Sequence, residues 1–114
     1  MSWLRITHAA NIPLREGRAV TVEGGEEIAL FNTDGEIYAI GDVCTHAYTH
    51  LTEGDFYEDI RGWVVECPLH GSQFDVTTGD AVTLPATGNA GKYDVKIVGD
   101  EILVGVPPVV RFQQ

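Results

Sequence analysis

The sequence predicts an all-β fold, a small antiparallel sandwich or barrel of short strands, and three observations predict it. Short runs rich in β-branched and aromatic residues recur along the chain. Turn signals separate them at roughly eight- to twelve-residue spacing. No segment keeps a helical hydrophobic period over three turns, and 13 glycines and 5 prolines in 114 residues interrupt too often for a long helix.

Taken in order, the runs are RAVTV (18–22), EIALFN (27–32) and EIYAI (36–40), with Asp34-Gly35 between the last two as a hairpin turn signal. GWVVE (62–66), QFDV (73–76), YDVKIV (93–98) and EILVGV (101–106) follow. In YDVKIV, Tyr93, Val95 and Ile97 alternate with Asp94 and Lys96, the pattern of a half-buried strand. Gly99-Asp100 joins it to the next run as a tight turn. Pro107-Pro108 is expected to stop the last strand, leaving residues 107–114 as an extended tail. DFYEDIRGWVVE (55–66) reads as a hairpin inserted into the sheet body, its own tip carrying the Cys and His residues. The whole chain, 1–114, is one domain, with an inserted subdomain of two loops at about 43–76.

A net charge of −10 argues against nucleic acid, whose phosphates would be repelled, and against an anionic membrane surface. It suits steering toward a basic face on another protein. No stretch is long and apolar enough to span a bilayer, and MSWLRITHAA lacks the basic and apolar regions of a signal peptide. A cytoplasmic location is expected, where a pair of cysteines is metal-binding or catalytic more often than disulfide-bonded.

Both cysteines and three of the four histidines fall in CTHAYTH (44–50) and CPLHG (67–71). Cys44 and His46 are one residue apart, and Cys67 and His70 are two apart. Pro68 and Gly71 tighten the second loop, as ligands converging on one point require. Three readings compete. Structural zinc is one, although zinc fingers usually pair Cys with Cys and His with His, the His pair on a helix, and no helix is evident here. A Cys–His nucleophile is another, but it leaves the second pair unexplained and no oxyanion constellation stands out. A 2Fe-2S cluster with two Cys on one iron and two His on the other is the third, and mixed pairs suit it because each loop then supplies one ligand to each iron. His50 lies four residues after His46 and is read as a loop-surface residue, because the Cys-x-His spacing fits His46. His8 is read as an ordinary exposed residue.

CTH and CPLHG, with SQFD following, resemble the Rieske iron–sulfur domain family. Leu51 and Gly54 after the first pair, and Gly71, Phe74, Asp75 and Gly79 after the second, agree with it. LPATGNAGKYDVKIVGDEILV resembles the family's proline loop and last two strands, so the likeness runs from about Ile6 to Val106. The gap between the pairs is a few residues longer than in short members, which places a larger hairpin at FYEDIRG. The resemblance implies one Rieske 2Fe-2S cluster, held through Cys44 and Cys67 on the inner iron and His46 and His70 on the outer one. It implies that Pro85 covers the cluster and that the histidine edge is the electron port. High-potential members carry a Ser and a Tyr whose hydroxyls reach the cluster sulfurs; here Ser72 matches the first, and Phe74 stands in place of the second.

No membrane anchor is expected, and the two cysteines leave none for the second Cys pair of respiratory Rieske proteins. The long catalytic domain of oxygenase large subunits is not expected either, since only His8 and His50 remain after cluster ligation. The likeness is therefore to the Rieske-type ferredoxin of bacterial aromatic-ring dioxygenase systems. That implies a non-enzymatic electron carrier between an NAD(P)H-dependent flavin reductase and a terminal oxygenase. Glu53, Asp55, Glu58 and Asp59 would frame its docking face, or simply solvate the hairpin. The alternatives are a fixed Rieske subunit of a larger reductase, such as a nitrite reductase, and a zinc module used only for binding.

Overall fold

Residues 2–22, 27–43, 49–69, 71–82 and 90–109 are described by the computed structural model of the chain. Among the described residues, nine strands make two antiparallel sheets. The larger sheet contains β1 (Ser2–His8), β2 (Gly17–Thr21), β3 (Glu27–Asn32), β4 (Ile37–Gly41), β8 (Lys92–Val98) and β9 (Glu101–Val109), in the order β1-β9-β8-β4-β3-β2. The smaller is β5 (Phe56–Asp59), β6 (Gly62–Glu66) and β7 (Gln73–Asp75), in chain order. Helical structure among the described residues is limited to two three-residue 3-10 turns, Ala9–Asn11 and Leu51–Glu53. The antiparallel all-β class expected from the sequence is what forms.

Leu4 and Ile6 from edge strand β1 pack into the same apolar cluster as Val20 and Val22 from the opposite edge. A flat sheet could not bring its two edges to one core, so the large sheet curls. Ile28, Leu30, Ala39, Tyr93, Ile102 and Val104 fill the interior of that curl. Successive side chains of a strand point to opposite faces. Ala29, Phe31 and Ile40 therefore leave the outer side of β3 and β4, where they meet Leu51, Val65, Cys67, Phe74 and Val76 in a second core. β3 is buried on both faces, and its run EIALFN is nearly unbroken in apolar character for that reason. Aromatic rings knit the two sheets: Phe31 lies 4.7 Å from Phe56, which lies 5.3 Å from Trp63. Arg15 covers the Trp63 ring at 5.1 Å.

Asp34-Gly35 turns as expected, with Gly35 at φ 113° and the Thr33 N–H donating to the Glu36 carbonyl at 3.0 Å. Three details depart from the sequence reading. β1 was not anticipated, although Leu4 and Ile6 alternate with Arg5 and Thr7. β9 runs through Pro107-Pro108 to Val109 instead of stopping at Val106. The register with β8 jumps from Asp94↔Gly105 to Lys92↔Val109, so the prolines sit in an irregular stretch where the ladder needs no N–H from them. Residues 110–114 lie outside the described residues. Finally, the β5–β6 hairpin tip carries Ile60 and Arg61, not the Cys and His residues.

Candidate metal centre

Phe56 pairs with Val65, so the start of β5 lies beside the end of β6. The chain arrives at that end from the first Cys/His segment, through the Leu51–Glu53 turn and Gly54-Asp55, and leaves it into Cys67. The Glu66 N–H donates to the Asp55 carbonyl at 2.8 Å. Gly54 runs so close to β6 that a Cβ on it would sit 1.7 Å from the Glu66 carbonyl oxygen and 3.1 Å from Pro68 Cδ. Only a residue without a side chain permits this approach. The joint thus brings the exit of the first segment against the entrance of the second.

Cys67 is 1% exposed and belongs to the core shared by the two sheets. Its N–H donates to the Ser72 carbonyl at 2.7 Å, and its own carbonyl accepts the Gly71 N–H at 2.9 Å. These bonds close residues 67–72 into a tight turn, and Gly71 takes the positive φ of 74° that this needs. Leu69 projects from the turn, 61% exposed. Ser72 and Phe74 are fully buried, and Phe74 packs in the core that contains Cys67. Cys44, His46, His70 and Pro85 lie outside the described residues. Of the four expected ligands, Cys67 alone is placed: a buried thiol at the mouth of a closed turn. Such a thiol, shielded from oxidants by an apolar core, fits an iron ligand.

The first segment is held at its base by a group that the sequence reading passed over. Asp42 at the end of β4 is fully buried. Its Oδ1 accepts the Thr52 N–H at 2.9 Å, and its Oδ2 lies 3.2 Å from the Thr52 hydroxyl and 3.0 Å from His50 Nδ1. The Asp42 carbonyl accepts the Leu51 N–H at 2.6 Å, and Val43 and His50 form an isolated antiparallel bridge. His50, expected as a surface residue, is instead tied down with its side chain 36% exposed. The hydrogen bond to Asp42 raises its pKa above the ordinary 6.5. An Asp two residues before a Cys carries no signal by itself, which is why sequence reasoning missed it. His8 is exposed and lies 3.6 Å from the still more exposed Asp100.

The acidic residues expected to act together are divided. Glu53 and Asp55 are exposed at the end of the small sheet that holds Cys67. Asp59 is at the other end, engaged by Arg61 at 2.8 Å, which draws its pKa below the ordinary carboxylate value.

A buried thiol in a closed turn, on a small sheet docked against a curled one, suits an iron–sulfur electron-transfer domain. The chain belongs to the Rieske family: residues 2–104 match the Rieske [2Fe-2S] domain. Within that family it stands with ferredoxins. It is 41% identical over 102 residues to the ferredoxin component of the naphthalene 1,2-dioxygenase system of Pseudomonas aeruginosa, covering 90% of this chain and 93% of the relative. It is 41% identical over 98 residues to the 3-phenylpropionate/cinnamic acid dioxygenase ferredoxin subunit of Escherichia coli (strain K12), covering 86% and 88%. A solved complex of reduced oxygenase and oxidized ferredoxin in carbazole 1,9a-dioxygenase contains a chain that superposes with a TM-score of 0.86 at 30% identity, covering 96% of this chain and 97% of that one. A nitrite reductase small subunit from Mycobacterium tuberculosis also superposes, with a TM-score of 0.83 over 95% of this chain and 97% of that one. At 19% identity that likeness shows the fold alone.

Proposed function

We propose that this chain is the one-electron carrier of an aromatic-ring dioxygenase system, working in the cytoplasm between a flavin-dependent reductase and a terminal oxygenase. The joint between Gly54-Asp55 and Glu66-Cys67 carries this reading. It sets the exit of one Cys/His segment against the entrance of the other at a single end of the small sheet. End-to-end likeness to ferredoxin components at 41% identity supports the carrier role over that of a fixed reductase subunit.

In this reading residues 43–76 form the cluster-binding unit. Cys44 and Cys67 would hold one iron as thiolates, and His46 and His70 would hold the other through imidazole nitrogens. When bound, the cluster supplies a one-electron couple. The Cys67 turn keeps water from the thiolate side, because Leu51, Val65 and Phe74 pack around it. Leu69, which precedes His70 in the sequence, offers an apolar contact point, and Glu53 and Asp55 give that end of the molecule its negative charge. No helix among the described residues is long and apolar enough to cross a membrane.

Iron and acid-labile sulfide assays, with an EPR spectrum of the reduced protein, test the site. The expected result is the full 2Fe-2S content per chain, lost in Cys44→Ser and Cys67→Ser. A colourless, EPR-silent protein containing zinc would overturn the reading. Stopped-flow transfer from a flavin reductase and onward to an oxygenase tests the role, and a carrier must complete both halves.

A further inference from the structure

Val43 and His50, which flank residues 44–49 in the sequence, pair with each other in an isolated antiparallel bridge. Leu51 closes the same neck with its N–H to the Asp42 carbonyl, and the Asp42 N–H in turn donates to the Glu27 carbonyl at 3.0 Å. On the side-chain level, one buried carboxylate gathers three donors, two from Thr52 and one from His50. Burying a carboxylate is costly unless it is fully hydrogen-bonded, and an apolar residue would fill such a site at no electrostatic cost. What the carboxylate adds is direction: it locks β4 to the Leu51–Glu53 turn in one register. A short segment whose ends are pinned has few conformations left, and a metal site assembled from it starts preorganised.

We propose that Asp42, His50 and Thr52 form a polar clasp that fixes the two ends of the segment carrying Cys44 and His46, and so sets how those ligands are presented to the cluster. The proposal rests on the reading of Cys44 and His46 as ligands. His50 acts in it as a positioning residue: its Nδ1–H donates to Asp42, while its Nε2 faces Glu27 Oε1 at 3.8 Å. Glu53, on the adjoining turn, is the other acidic group near the ring.

The test uses the cluster-loaded protein and three variants. His50→Leu removes the donor. His50→Asn keeps an N–H donor where Nδ1 stands and removes the titratable ring. His8→Leu is the control, distant in the fold and outside the clasp. Two measurements are made: bleaching of the visible spectrum by an iron chelator, and the EPR g-values of the reduced form. His50→Leu is expected to assemble the cluster, lose it about tenfold faster, the scale of one buried hydrogen bond, and shift its g-values. His50→Asn is expected to restore both readouts, and His8→Leu to change neither.

Parent-like bleaching and g-values in His50→Leu would overturn the proposal. Leu and Asn variants that behave alike would do the same, since donation to Asp42 would then be irrelevant. An iron-free His50→Asn would overturn it in another way, by making His50 a ligand. If His50→Leu does not fold, Thr52→Val, which removes only the hydroxyl donor, must still show faster bleaching, and a parent-like Val variant would refute the clasp. Cys44→Ser separates the two levels. If it keeps its cluster, the ligand reading fails; if it loses the cluster while His50→Leu is parent-like, only the clasp fails.

Discussion

β3 and β4 form a wall between two cores that are built differently. On the inner side Ile28, Leu30 and Ala39 face a core of aliphatic residues and Tyr93. On the outer side Ala29, Phe31 and Ile40 face a core that includes the Cys67 thiol and lies beneath the small sheet. The surfaces differ as well. Residues 43–82 hold seven carboxylates against the single cation Arg61, a net −6 of the chain's −10. Tolerance differs most. The large sheet's hairpins are open at Gly35 and Gly99, whereas at Gly54, where the incoming segment meets the small sheet, the backbone is too close for a methyl group. The joint at Gly54 is therefore without slack, although Gly62 meets nothing within 4 Å and Gly71 only a side-chain oxygen at 3.9 Å.

The sharpest way to break that contrast is one substitution in two places. Gly54→Ala places a Cβ 1.7 Å from the Glu66 carbonyl, which neither strand can yield without opening the joint. A loss of roughly 3–5 kcal/mol, or failure to assemble the cluster, is expected. Gly35→Ala meets nothing within 4 Å and suffers only from its φ of 113°. Its cost should be about 1–2 kcal/mol with cluster content unchanged. Thermal unfolding and iron content of the two variants decide the matter. Equal losses would remove the distinction between the regions.

How far the sequence reached follows the same division. Strands on the scaffold were legible because alternation reports a strand with one buried face, as in Tyr93, Val95 and Ile97. β1 went unread although Leu4 and Ile6 carried the same signal. Pro107-Pro108 misled, because a proline breaks a strand only where the ladder needs its N–H, and the jump in register between β8 and β9 is a tertiary fact. At the cluster end the residue types themselves were informative: two mixed Cys/His pairs have few uses. The roles of Gly54 and Asp42 were not legible. One depends on which backbone passes beside it, the other on which donors return to it after the chain has closed on itself.

Phe74→Tyr sharpens the comparison from inside the outer core. Phe74 is fully buried in the cluster that contains Cys67. An added hydroxyl there must find a partner or cost stability. If it reaches a cluster sulfur, it stabilises the reduced, more negative state and raises the potential. A hydrogen bond to a charged group is worth roughly 1.5–3 kcal/mol. For one electron about 1.4 kcal/mol corresponds to ~59 mV, so the ceiling is on the order of 60–120 mV. The parent, lacking this donor, should lie near the low end of the Rieske range, about −150 mV. A redox titration with cluster content verified gives the answer, and an unchanged potential would show that position 74 does not tune it.

The unequal charge makes a third prediction. Transfer to either partner should slow by about tenfold as ionic strength rises from roughly 0.02 to 0.2 M, because steering falls with the Debye length. Neutralising Glu53 and Asp55 together should flatten that dependence more than neutralising Glu36 and Asp34 on the scaffold hairpin. Stopped-flow rates measured across the salt series compare the two pairs. An equal effect would mean that the overall charge steers docking, not the cluster end.

The smallest expected effect lies in pH. The bond to the buried Asp42 carboxylate raises the folded-state pKa of His50 above 6.5. A raised histidine pKa means that the folded state binds the proton more tightly than the unfolded chain does. The resulting stabilisation is fully present below 6.5 and is lost as pH climbs through the raised folded value. His50→Asn cannot titrate, so its profile lacks this component. The difference in apparent Tm between parent and His50→Asn should therefore favour the parent most at about pH 5.5 and shrink steadily toward about pH 9. Glu27, 3.8 Å from Nε2, supports the same sign, since a second carboxylate also favours the charged ring. A difference that stays constant over this range would mean that the Asp42–His50 contact gains nothing from charge and holds the neck through hydrogen bonding alone.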